Sequence, residues 1–481
     1  MIFFAKSTKV KEFLRFLGKD KRTRQSQVHL SLLIIGFLLH FGRMSASQAG
    51  SCIRTTARHR ANVARFLAKS GVSRDWLQLA WMSVLVLEQE GKRTEPWLFL
   101  LDQTFCSQQG KKTENTYSMG NRQRRPRKGR RYNRKTAPRS VHAFVMGLLI
   151  TPGGLRLPVC KSYYTKDYCK QKGRPYRKQT ELAADLIDEL QVPNSAQGAG
   201  SVTGSVTGSV TGSVTVLGDT AYEAETIQKA CARRGFTWIV PINPERVLAG
   251  PSPRPKVRTL ASALTAADLV PVRLDPNKGR FVAQRRVSRC RIRPKTKERT
   301  NGDNRACRTY HVHSETREVQ SVGMVQLVFS CKEKPQPGKP ISLSKILMTN
   351  DRTLPAATVV ELYSLRWQIE LFFKELKSTL GFHQYRFRAY EKVEAWTQAA
   401  LLAFLYLEWL RGRKLREKGL GRKEREWWRS QRAYGLSRAV RQLAEQNDLT
   451  ELSRLTQTRS GLRTLKTALR EALTLEYRVA P

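Results

Sequence analysis

The sequence changes texture near residue 96, and that change limits the folds open to it. Residues 1–95 carry two apolar segments of helical periodicity on either side of MSASQAGSCIRTTARHRANVARFLAKSGVSRDW. Beyond them come short apolar runs of strand type: Leu98 to Phe105, then VHAFVMGLLIT, then LRLPVCKSYYT. Gly153 and Gly154 stand between the last two, where a hairpin needs its turn. A helical stretch, RKQTELAADLIDELQV, leads to the strand VTVLGD, a helix through Ala232 and a further strand, TWIVPIN. Hairpins followed by strand-helix alternation predict an α/β fold on a mixed sheet.

From Pro244 to about Leu343 the chain turns β-like and basic, with runs such as GRFVAQRRVSRCRI, RTYHVHSET and MVQLVFSCKEK, which suits a β-rich insertion or subdomain. KILMTND closes it, and a long helix is expected after Pro355. Residues 395–481 read as helical, with basic blocks such as RGRKLREKGLGRKEREWWR. The expected divisions are thus 1–95, 96–243, 244–343, 344–394 and 395–481. In the first, Ser45 or Ser47 suits a helix cap and the Arg/His-rich stretch after it suits a DNA-facing helix. A plain helical bundle with a solvated basic face explains that segment equally well.

Charge narrows the partners. The 87 Lys and Arg against 39 Asp and Glu give +48, which calls for a polyanion, and nucleic acid is the natural one. The basic residues are spread along the chain, unlike those of a membrane-surface protein beside one apolar anchor. The apolar run Leu30 to Phe41 is too short to span a bilayer, which takes about 20 residues. Its long leader with Glu12 and Asp20 fits a secretory signal poorly. Eight cysteines without a CxxC speak against zinc or a disulfide framework and for a reducing, cytoplasmic setting. Between Arg122 and Arg139 more than half the residues are Lys or Arg. Arg124, Arg125, Arg127, Lys128, Arg130 and Arg131 there suit phosphate contact, although a solvated excursion would have the same composition.

The segment ELYSLRWQIELFFKELKSTL, Glu361 to Leu380, predicts one amphipathic helix. With Tyr363 at zero and about 100° per residue, Arg366 falls near 300°, Glu370 near 340°, Lys377 near 320° and Lys374 near 20°. These five share one stripe beside a face of Leu362, Leu365, Ile369, Phe372, Phe373 and Leu376, whereas Glu361 and Glu375 point elsewhere. An ordinary ion pair between Glu370 and Lys374 would account for the pattern too. Asp102 closes the run WLFLL and Asp219 follows VTVLG; either suits a turn or a helix cap. Together with Glu370 they also suit a carboxylate cluster for hard divalent cations, with Mg²⁺ the usual choice. Two such ions serve phosphodiester chemistry.

Tyr363, Arg366, Glu370 and Lys377 form the signature Y-(2)-R-(3)-E-(6)-K. With LLDQTF and VLGDTAY ahead of it, the stretch from Leu98 to Trp409 resembles insertion-sequence transposases of the DDE type, the group named after insertion sequence 4. The resemblance implies a ribonuclease-H-like mixed sheet with a β-rich insertion, flanked by helical N- and C-terminal regions. It implies Asp102, Asp219 and Glu370 as catalytic metal ligands for Mg²⁺, with Mn²⁺ as substitute. It implies that Tyr363, Arg366 and Lys377, with Trp367 and Lys374 beside them, contact double-stranded DNA. A homodimer pairing two transposon ends in a bacterial, nucleoid-associated setting and no membrane contact also follow from it. The 151 positions between Asp219 and Glu370 leave room for the insertion that this group places there. The alternatives are a non-catalytic DNA-binding relic or repurposed copy, and another ribonuclease-H-like nuclease.

Ahead of VLGD stands SVTGSVTGSVTG, Ser201 to Gly212. Glycine at every fourth position weakens a strand, so the copies suit a loop or alternative registers of one strand. Doubling a loop costs only about 0.6 kcal/mol. Deleting residues 201–212 is expected to leave DNA cleavage intact in a nicking assay, whereas Asp219→Ala ends it; loss of activity in a folded deletion variant would overturn this view.

Overall fold

In the computed structural model of the chain the described residues are chiefly 8–15, 24–39, 74–88, 96–108, 113–119, 139–192, 214–250, 254–274 and 308–431, with short pieces at 44, 63, 65–68, 252, 435–438, 453, 457–460 and 462–463. The basic segment with Arg124, Arg125, Arg127, Lys128, Arg130 and Arg131 lies outside them. So do most of the Arg/His-rich stretch after Ser47, the three SVTG copies and the run GRFVAQRRVSRCRI.

Three N-terminal helices, α1 (Thr8–Phe13), α2 (Arg24–Leu39) and α3 (Arg74–Leu85), do not stand apart from the rest. They pack on α10 (Tyr390–Arg416), a 27-residue helix of roughly 40 Å. Leu30, Leu33, Ile34, Phe37 and Leu38 of α2 are fully buried, which explains the apolar run, and Phe37 meets the Trp396 ring at 4.7 Å. No described helix is long and apolar enough to cross a membrane. Since α10 begins at Tyr390 and runs without a break past residue 395, the expected boundary there falls inside a helix.

The ten strands of the described residues form one sheet: β1 (Trp97–Gln108), β2 (Tyr117–Met119), β3 (Arg139–Ile150), β4 (Arg156–Tyr163), β5 (Val214–Leu217), β6 (Thr237–Pro241), β7 (Val270–Leu274), β8 (Arg308–Val319), β9 (Gly323–Cys331) and β10 (Lys345–Thr349). The order is β2-β3-β1-β5-β6-β10-β9-β8-β7, with β4 also on β3. β1, β3 and β4 are antiparallel, as the hairpin signals predict, and Gly154 takes φ 84° in the turn, where glycine is favoured. β1, β5 and β6 are parallel. Val141 to Ile150 are buried without alternation because helices cover both faces: α5 (Gln179–Asp188) packs on β3 and β4, while α9 (Trp367–Ser378) meets β1 and α10 meets β4. Further helices are α4 (Lys166–Lys172), α6 (Glu225–Arg233), α7 (Val257–Ala263), α8 (Ala356–Ser364) and α11 (Arg422–Ser430). The β-rich stretch 244–343 supplies β7 to β9, which continue the central sheet in series, because β10 pairs with both β6 and β9.

Two local expectations are corrected. The single helix Glu361–Leu380 is α8 and α9 joined by a tightened turn. Leu365, Arg366, Gln368 and Ile369 each donate to the carbonyl three residues back, at 2.9, 3.0, 2.9 and 3.1 Å, which is 3₁₀ bonding. The turn shifts Tyr363 away from the angle an unbroken helix would give it. Asp102 is not terminal either: β1 runs on to Gln108, held by β3. What ends near Asp102 is the pairing with β5, whose last partners are Leu100 and Leu217.

A buried charge cluster joins the hairpin to two helices. Arg156 of β4 donates through Nη1 to both oxygens of Glu375 on α9, at 3.1 and 2.9 Å, and through Nε and Nη2 to Glu408 on α10, at 3.1 and 2.8 Å. Arg411 pairs with Glu408 and donates to the Gly154 carbonyl at 2.6 Å. Two cations and two anions thus balance in a buried volume. Removing one member strands a buried charge. Arg156→Met is expected to lower unfolding stability by about 3–5 kcal/mol in denaturant titration, and Arg156→Met with Glu375→Gln to recover part of that loss.

Candidate active site

Asp102 and Asp219 hold equivalent places on neighbouring parallel strands. In the β1-β5 pairing Leu100 faces Leu217, and each acid stands two residues beyond. Such a carboxyl edge of parallel strands is where open α/β sheets bind ligands. The Asp102 carboxylate accepts the Gln103 N–H at Oδ1 (2.7 Å) and Arg366 Nη1 at Oδ2 (3.2 Å). Arg366 also donates from Nη2 to Glu370 Oε1 at 2.6 Å. The guanidinium therefore spans the two acids, one from the sheet and one from α9. Glu370 pairs with Arg366, one turn back, and not with Lys374, which is exposed.

Asp219 does serve as a cap: its Oδ1 accepts the Ala221 N–H at 2.9 Å in the 3₁₀ turn Thr220–Tyr222. Its charge still reaches the others. Burial raises the Asp102 carboxyl from 3.8 to about 6; the Gln103 N–H opposes this, Asp219 adds to it, Arg366 opposes and Glu370 adds. One acid thus feels both of the other two.

The remaining stripe residues separate. Tyr363 is buried, and burial raises its phenol to about 12. Its hydroxyl accepts from Lys345 Nζ at 3.4 Å, and that ammonium lies 5.0 Å over the ring. Lys377 donates to the Phe105 carbonyl at 2.8 Å, three residues along β1 from Asp102. Trp367 is 54% exposed at the start of α9. Glu361 and Glu375 lie off the site, the latter in the buried cluster.

Lys345, at the start of β10, was missed by sequence reasoning. Its pKa is lowered by burial and by Arg366, and raised by Asp219 and Glu370. The only available signal was its place in KILMTND, where a single lysine has no periodicity to mark it.

The donor set is all carboxylate oxygen, which fits a hard divalent cation. Among the described residues no three His, Cys, Asp or Glu side chains converge closely enough for one ion, and the positive group between Asp102 and Glu370 is Arg366. The chemistry of the acids fits the cation, provided the guanidinium turns outward. The five described cysteines are buried and form no disulfide with one another.

These acids stand on the carboxyl edge of a mixed sheet, in a chain whose charge of +48 favours a polyanionic partner. Residues 180–406 match the family described as transposase DDE domain. The match takes in Asp219 and Glu370 but starts after β1, so Asp102 lies outside it and meets them through the β1-β5 register and Arg366. No curated protein matches the chain.

Between pH 4 and 6 the folded chain keeps a proton on Asp102 that the unfolded chain has released, so raising the pH through this window weakens the fold. Asp102→Asn escapes that cost. Without divalent cations the variant is expected to match the parent near pH 4 and to exceed it by roughly 2 kcal/mol at pH 7 in thermal unfolding. A difference that does not change with pH would remove Asp102 as its source.

Proposed function

We propose that the chain is an insertion-sequence transposase of the insertion sequence 4 group, which nicks the ends of its element and joins the freed 3′-hydroxyls to target DNA by cation-dependent phosphoryl transfer. The observation that carries this reading is the matched placement of Asp102 and Asp219 past Leu100 and Leu217, with Glu370 tied to Asp102 through Arg366. The order β4-β3-β1-β5-β6, three antiparallel strands followed by two parallel ones, supports a ribonuclease-H-like core.

Asp102, Asp219 and Glu370 hold the cation in this reading. Mg²⁺, or Mn²⁺ in its place, supplies when bound the positive charge that activates the attacking oxygen and stabilises the leaving one. Arg366 releases its acids and turns to a DNA phosphate, for which its planar fork is suited. Lys345 and the Tyr363 hydroxyl, already paired, offer a second donor pair to the backbone. Trp367 and Lys374, both exposed on α9, face the duplex, and Lys377 braces β1 beside it. Arg124, Arg125, Arg127, Lys128, Arg130 and Arg131 add phosphate contacts, and a dimer brings two ends together.

The test uses purified protein, Mg²⁺ and duplexes carrying the terminal inverted repeats that flank the reading frame. Specific nicking at the ends is expected, with Asp102→Asn, Asp219→Ala and Glu370→Gln each lowering it on the order of 10³-fold or more while binding persists. Equal cutting of unrelated DNA, or undiminished nicking by the variants, would sink the proposal.

A further inference from the structure

β2 and β4 lie end to end on the outer edge of β3: Tyr117 stands opposite Val141, and Tyr163 opposite Ala143. On the inner edge Phe105 of β1 also stands opposite Ala143. The alternation of strands therefore puts Phe105, Tyr117 and Tyr163 on one face, the reverse of the face that carries Asp102. Their rings meet edge to face, Phe105 to Tyr117 at 6.2 Å and Tyr117 to Tyr163 at 6.1 Å. Tyr176 extends the row, 6.2 Å from Tyr163, with the two hydroxyls 2.8 Å apart.

This row does not close into a core. The three tyrosines border a cavity of about 400 Å³, and Tyr176 is 36% exposed. Lys166 Nζ stands 5.4 Å over the Tyr176 ring. Gln103 and Gln179 complete the cavity. Gln103 directly follows Asp102, while Gln179 Nε2 donates to the Tyr222 hydroxyl at 3.0 Å, in the turn that Asp219 caps.

The wall is set before any ligand arrives. Asn115 is buried, takes φ 54°, accepts the Thr165 N–H at 2.8 Å and donates to the Tyr163 carbonyl at 3.1 Å. Among the described residues no carboxylate lines the cavity. The Met119 and Arg139 backbones pair, two residues along β2 from Tyr117, and the most basic segment of the sequence lies between them in the chain. Aromatic faces, two amides and one ammonium suit a flat heteroaromatic ring with a polar edge, carried on a polyanion.

We propose that the hollow bordered by Tyr117, Tyr163 and Tyr176 is a nucleobase site, which receives an unpaired base of a DNA strand passing the acidic edge. The base stacks on Tyr176 and Tyr163, Gln103 and Gln179 meet its edge, and Lys166 takes an adjoining phosphate. Stacking gives affinity without sequence preference, because every base has a π-face. The site rests on the reading of DNA as the substrate.

The full-length protein is titrated, in chelator and without divalent cations, with a blunt duplex and with the same duplex bearing a short single-stranded extension that contains 2-aminopurine. The parent is expected to bind the extended duplex more tightly and to quench its fluorescence. Tyr176→Ala should weaken binding of the extended duplex about 5- to 100-fold and abolish the quenching. Tyr176→Phe, which keeps the ring and loses the hydroxyl, should behave as the parent. Equal binding of both duplexes by the parent, or equal losses on both in Tyr176→Ala, overturns the nucleobase site while DNA binding stands. If the parent binds neither duplex, the DNA reading fails and the site with it.

Discussion

The Arg156 guanidinium fixes the position of the helix that carries Glu370. It joins the edge strand β4 to Glu375 on α9 and Glu408 on α10, at depths where neither carboxylate has water to turn to. Glu375 lies five residues after Glu370, roughly 140° around the helix, so one glutamate is held inward while the other faces the sheet edge. Rotating α9 would unpair the inner charge, at a cost of several kcal/mol. The apolar face of Ile369, Phe372 and Leu376 drives the helix onto the sheet, and the ion cluster chooses its rotation. α10 takes part through Glu408 and Arg411, which is why the N-terminal helices packed on α10 share one core with the site.

At the edge itself the electrostatics oppose the rest of the molecule. A chain of +48 holds three acids together, and the burial of Asp102 raises the cost of its charge. Arg366 offsets that cost in the absence of another cation. Because it grips both acids through separate nitrogens, a divalent ion must displace two charge-assisted hydrogen bonds to enter. Lys345 sharpens the effect, since it lies near enough to feel Arg366, Asp219 and Glu370 together. The acids are thus ringed by cations already suited to phosphate.

Much of this was legible in the sequence where one residue type repeats locally. Apolar runs bounded by glycines marked β1, β3 and β4, strand-helix alternation marked β5, α6 and β6, and the apolar face of α9 followed helical spacing. What escaped depends on partners far along the chain. Arg156 and Glu375 are 219 residues apart, and nothing near either shows that they meet. The continuity of the sheet through β10 was equally hidden, since pairing to β6 and β9 leaves no local pattern. The tightened turn at Leu365 and Arg366 escaped because uniform periodicity cannot register a change in hydrogen-bond step. Of the three glutamates, Glu370 is the one that shares Arg366 with Asp102, as the stripe suggested, whereas Asp102 was misread as terminal because apolarity ends there and strand pairing does not.

The relation between the two aspartates rests on β5, the shortest strand of the parallel set. Val214 to Leu217 are all buried between β1 and β6, and Val214 opposite Trp97 sets the register. A shift of one residue would carry Asp219 to the other face and force the side chains of β5 into packing places shaped for their neighbours, so the core itself guards the site. The SVTG copies stop at Gly212, just before that strand, and the last, broken copy supplies its first residues. Gain or loss of a whole tetrapeptide changes neither the residues of β5 nor their alternation, because four is an even number of strand steps. The repeat can therefore drift in length while the distance that matters, from Val214 to Asp219, stays fixed by the sheet.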